Sequence, residues 1–63
     1  MSKAQLELAT ITSTMSDLST RLTALVESEG GALSTEVYSE LLGAERTIGA
    51  LVRRLNRLAN RLL

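Results

Sequence analysis

The sequence predicts an all-α fold: an antiparallel helical hairpin of coiled-coil type that dimerises into a four-helix bundle. Three observations predict it. In the first half, apolar residues step by three and four through Met1, Ala4, Leu8, Ile11, Met15, Leu18, Leu22 and Leu25. In the second half the same step carries Val37, Leu41, Ala44, Ile48, Leu51, Leu55, Leu58 and Leu62. Between the two runs lies Gly30-Gly31. A three–four step places residues on one face of an α-helix and suits no strand, so each half reads as a helix with a stripe to bury.

The chain has 63 residues, which allows one domain spanning 1–63. The first helix is expected over about 2–29. Ten Ser and Thr residues lie from Ser2 to Ser28, and such side chains compete for backbone hydrogen bonds. This helix should therefore depend on packing for its stability. Gly30 or Gly31 is expected to end it in a left-handed conformation. A turn over 30–34 follows.

The second helix is expected over about 35–62, with Ser34 as N-cap and Glu36 in the first turn, where the positive helix end favours a carboxylate. Leu33 and Tyr38 have the spacing of a hydrophobic staple. Folding the second helix back pairs Leu25 with Leu41, Leu18 with Ile48, Ile11 with Leu55 and Ala4 with Leu62. A single long parallel coiled coil is the alternative, but bridging the two glycines helically would cost about 2 kcal/mol per chain.

Composition argues for self-association. Hydrophobic residues make up 44% of the chain, yet Tyr38 is the one aromatic. Small chains without disulfide or metal usually find their missing core in a partner. A second stripe rich in small side chains flanks each seam: Ser2, Gln5, Ala9, Thr12, Ser16, Ser19, Thr23 and Val26 on the first helix, and Tyr38, Leu42, Glu45, Gly49, Val52, Asn56, Ala59 and Leu63 on the second. Of the latter, Tyr38, Leu42, Gly49, Val52, Ala59 and Leu63 are the expected oligomer interface, since small residues let another helix approach closely.

No residue pattern points to catalysis. With no His and no Cys, the chain lacks the commonest general base, the commonest metal ligands and any thiol chemistry. Its serines have no base partner. No enzyme activity, cofactor or metal is expected. No signal peptide or membrane-length apolar run is visible, so the expectation is a cytoplasmic location without membrane binding.

Charge is the remaining signal. Seven acids balance seven bases, but they are segregated. Residues 46–63 carry Arg46, Arg53, Arg54, Arg57 and Arg61 with no acid. These five arginines are the candidate site for a protein partner or for nucleic acid. No aromatic accompanies them, which argues against stacking on single strands. The favoured function is a small non-catalytic adaptor, regulator or inhibitor of the phage or plasmid kind, which self-associates and binds a protein through its helical faces. A nucleic-acid-binding regulator is the alternative. In length and layout the chain resembles the plasmid-encoded Rop family, whose hairpins dimerise into a four-helix bundle that binds paired RNA loops. It is similar in plan to the small subunits of bacterial exonuclease VII. Neither resemblance rests on a shared residue motif, so no site residue carries over.

Overall fold

The computed structural model describes residues 2–62 and consists of two antiparallel helices joined by a short turn. Helix α1 spans Lys3–Glu29 and helix α2 spans Thr35–Arg61, with a 3₁₀ turn at Gly30–Ala32 between them. The molecule is a rod of 46 × 15 × 12 Å. Met1 and Leu63 lie outside the described residues.

Each helix start is capped by a serine. Ser2 accepts a hydrogen bond from the Gln5 amide at 3.1 Å, and its own amide donates to Gln5 Oε1 at 2.7 Å. That reciprocal box satisfies two otherwise orphaned donors. Gln5 has a second task, because its Nε2 donates to the Leu62 carbonyl at 2.7 Å and ties the start of α1 to the end of α2. Ser34 caps α2 by accepting from the Val37 amide at 3.2 Å.

Many α1 hydroxyls are satisfied locally. Thr10, Thr12 and Thr20 each donate to the carbonyl four residues earlier, at 3.0, 2.7 and 3.2 Å. At these three positions the hydroxyl bonds a carbonyl of its own helix instead of drawing the backbone out of it.

The turn corrects one expectation. No glycine among the described residues has a positive φ. Gly30 remains right-handed at φ −54°, ψ −38°, and its amide still bonds the Val26 carbonyl. The chain leaves α1 by tightening into a 3₁₀ turn, then extends at Leu33 (φ −92°, ψ 154°). Gly30 is buried beneath the Tyr38 ring, and a Cβ built there would lie 3.6 Å from Tyr38 Cε1, an ordinary contact. Gly31 has nothing within 4 Å.

Gly30→Ala should therefore stabilise the protein by about 0.4–1 kcal/mol, by restricting the unfolded chain without native strain. Urea unfolding followed by circular dichroism measures this. A loss of stability at Gly30→Ala would mean that the turn uses a left-handed residue after all.

Candidate functional site

The helices carry three apolar or mixed columns each, and the columns differ sharply in burial. The inner column holds Gln5, Thr12, Ser19 and Val26 on α1, and Tyr38, Glu45, Val52 and Ala59 on α2; every member is buried or half-buried. Next comes a middle column of Leu8, Met15 and Leu22 with Leu41, Ile48 and Leu55, all half-buried. The outer column holds Ala4, Ile11, Leu18 and Leu25 with Val37, Ala44, Leu51 and Leu58, and every member is exposed. Its larger side chains stay 39–51% accessible.

This distribution corrects the expected seam. The helices do not meet on the three–four stripe as a whole. They meet on the inner column and share the middle one, leaving half of the stripe outside. Tyr38, Leu42, Gly49, Val52 and Ala59, expected to bind another copy, are instead half-buried toward α1. Tyr38 and Leu42 share a hollow of about 680 Å³ with Val26 and Gly30 at the turn end. Leu63, the sixth expected interface residue, lies outside the described residues.

The physical reason is geometric. One neighbouring helix covers only part of a helix circumference, and here the apolar sector is wider than that part. The small-residue stripe allows the closest approach, so it faces inward. The inner interface is consequently poor in apolar contact. Val26 is its one buried hydrophobic residue, at 8% accessibility, and Thr12 its one buried polar residue, also at 8%.

The columns also define two sides of the hairpin. On one side, Ala9, Thr12, Ser13 and Ser16 of α1 share a polar hollow with Asn56 of α2. On an antiparallel pair, corresponding flanks of both helices fall on the same side. Middle and outer columns of both helices therefore form the opposite side, an apolar surface four columns wide along the rod. Leu6, 55% exposed, sits apart from it beside Lys3 and Glu7; single apolar residues of that kind are common on surfaces.

The five arginines occupy a third direction. Arg46, Arg53, Arg54, Arg57 and Arg61 are all exposed on the outward surface of α2. Glu45 turns inward with the inner column, so this surface carries no carboxylate from Gly43 to Arg61. Thr47, Ala50, Leu51, Arg53, Arg54 and Arg57 line a shallow hollow of about 500 Å³ on it. Arg53 Nη1 lies 3.6 Å from where a Cβ on Gly49 would stand. Sequence spacing located this cluster; what it could not locate was the apolar side, whose one signal was the excess width of the apolar sector.

Among the described residues, no helix is long and apolar enough to cross a membrane. The chain matches no known protein family, no curated protein and no solved structure. Its functional reading rests on these surfaces alone.

The inner column yields a direct test. Thr12 is 8% accessible as a residue, and its part-buried hydroxyl bonds the Leu8 carbonyl, an acceptor also used by the helix backbone. Thr12→Val keeps the branched shape and removes a part-buried polar group, so it should stabilise the hairpin by about 0.5–1 kcal/mol. The readout is the urea midpoint at one fixed protein concentration.

Proposed function

We propose that this protein is a small non-catalytic interaction module whose basic unit is a homodimer, with two hairpins packed apolar side to apolar side as a four-helix bundle. One observation carries the reading: the outer columns of both helices are apolar, exposed and on the same side. Nothing in a lone hairpin uses them.

Size supports a second copy as the occupant. The hairpin as a whole is 46 Å long and 15 Å across its wider section. A flat pairing of two such sides would bury on the order of 700 Å² per copy, about 1,400 Å² in all, within the range of stable dimers. The six large outer side chains would each gain about 1 kcal/mol on covering what is still exposed, before the costs of association.

Charge supports it too. The edges bordering the apolar side carry both signs: Glu7 and Arg21 on α1, Glu40, Arg54 and Arg61 on α2. Gln5 bonds Leu62, which sets Glu7 near the level of Arg61. A copy turned about a two-fold axis parallel to the helices brings Glu7 of one hairpin opposite Arg61 of the other, and sets both turn ends, with Glu29, Glu36 and Glu40, at the same end of the bundle. Such rim pairs add little affinity but favour register. A chain with no His, no Cys and shallow open hollows offers surfaces rather than a reaction centre, which supports an adaptor or regulator.

Sedimentation equilibrium should give twice the 6.8 kDa chain mass at micromolar concentration, and the unfolding midpoint should rise with protein concentration. Leu18→Asp with Leu51→Asp, both in the outer columns, should abolish the dimer. Ser13→Asp with Thr20→Asp, on the polar side, should leave it intact. A folded monomer whose midpoint ignores concentration would overturn the proposal.

A further inference from the structure

We propose that the outward surface of α2 is a docking face for the major groove of duplex DNA. The first support is the layout of its charge. At about 100° per residue, Arg46 and Arg53 lie along one flank of this surface and Arg54 and Arg61 along the other, with Arg57 between them. The five span about 22 Å of helix. A helix is about 10–12 Å across with its side chains, and the B-form major groove is about 12 Å wide. In that seat each arginine flank meets the phosphates of one bordering strand, while Arg57 points at the base edges. Arginine suits both tasks, since its fork binds phosphate or the guanine edge bidentately.

The second support is what shares the surface. Gly43 and Ala50 lie on the same ridge as Arg57. A Cβ at Gly43 would meet nothing within 4 Å, and Ala50 is exposed. These small residues, with the shallow hollow around Ala50, let the helix backbone approach a groove floor. Thr47 and Asn60 add exposed hydrogen-bonding groups. No carboxylate interrupts the face, and the nearest acids on α2 are Glu45, turned inward, and Glu40, one turn before Gly43 and Ala44.

The choice of DNA over an acidic protein rests on the homodimer reading. Protein interfaces depend on aromatic, arginine or apolar anchors that sit in well-packed, desolvated pockets. If a second copy covers Leu51 and Leu58, the arginine face retains exposed charge and small polar groups, with no apolar or aromatic surround to desolvate an arginine anchor. Phosphate contacts need none, because released counterions supply the affinity. Arg46, Arg53 and Arg57 point away from the dimer side, while Arg54 and Arg61 stand at its rim, where an exposed ion pair is weak enough to give way to phosphate.

Fluorescence anisotropy of the full chain with a labelled DNA duplex of about 20 base pairs at about 50 mM salt provides the test. Saturable binding is expected, with the logarithm of affinity falling against the logarithm of salt at a slope of about −3.6 per chain for four phosphate contacts. Arg53→Glu with Arg57→Glu should weaken binding at least tenfold at unchanged helicity. Arg21→Glu, an exposed cation on α1, should change it less than threefold. Failure to bind, or equal binding by the double variant, would overturn the proposal. So would equal affinity for an RNA duplex, whose deep narrow major groove excludes a helix, or full competition by polyglutamate at matched charge, which would point to an acidic protein. Sedimentation of the same samples separates the two readings: a dimer that ignores DNA defeats only this inference, and a monomer that binds it defeats only the dimer.

Discussion

A helix can turn only part of its circumference toward a single neighbour, and in this chain that limit decides everything else. The apolar sector on α1 and α2 runs through a middle and an outer column, while the side chains small enough for close approach lie in an inner column beside them. Closing the hairpin on the inner column brings the backbones near each other but buries little apolar surface. Val26 alone becomes a buried hydrophobic residue. The larger side chains, Ile11, Leu18, Leu25, Val37, Leu51 and Leu58, are left on one side of the rod. A hairpin of this kind has its polar contacts satisfied and its hydrophobic contacts unfinished.

Two devices at the ends of the rod fix how the helices align. At the open end, Gln5 completes the capping box of α1 and also bonds the last turn of α2 through Leu62. At the turn, the Tyr38 ring covers Gly30. Together they set the register to within about one turn, and register sets charge. Glu27, Glu29, Glu36 and Glu40 gather near the turn, and the arginines gather toward the open end. The separation of charge read from the sequence becomes a separation along the long axis of the molecule.

Two helices, the break between them and the serine that starts α2 were legible in the sequence, because period, glycine placement and N-cap chemistry are local signals. The assignment of stripes was not. Both stripes on each helix have helical spacing, and periodicity says that a stripe wants burial without saying which neighbour provides it. Preferring Leu8, Ile11, Met15 and Leu18 as one hairpin seam weighed hydrophobicity above closeness of approach; the structure weighs Thr12, Ser19 and Gly49 the other way. The left-handed turn residue failed for a related reason. Glycine is permitted at positive φ but not obliged to it, and a 3₁₀ turn capped by Leu33 and Ser34 reverses the chain without it. The arginine cluster, by contrast, needed only linear spacing to be found, since a run without carboxylates on one helix surface is visible before any packing is known.

The three columns and the arginine surface divide the circumference of α2 into three directions with different chemistry. Toward α1 it presents Tyr38, Glu45, Val52 and Ala59, a mixed set that tolerates water at its edges. Toward the apolar side it presents Leu41, Ala44, Ile48, Leu51, Leu55 and Leu58, which have no polar atoms to satisfy and gain only by being covered. Outward it presents arginines, threonine, glycine and alanine, which gain nothing from a nonpolar cover and would be costly to desolvate without anionic partners. These requirements are mutually exclusive, so no one neighbour can serve two directions. A partner for the outward surface must bring negative charge, and a partner for the apolar side must bring hydrocarbon. Because α1 offers the same apolar columns on the same side, a second copy of the chain supplies hydrocarbon in matching length, and the anion is left to come from a different molecule.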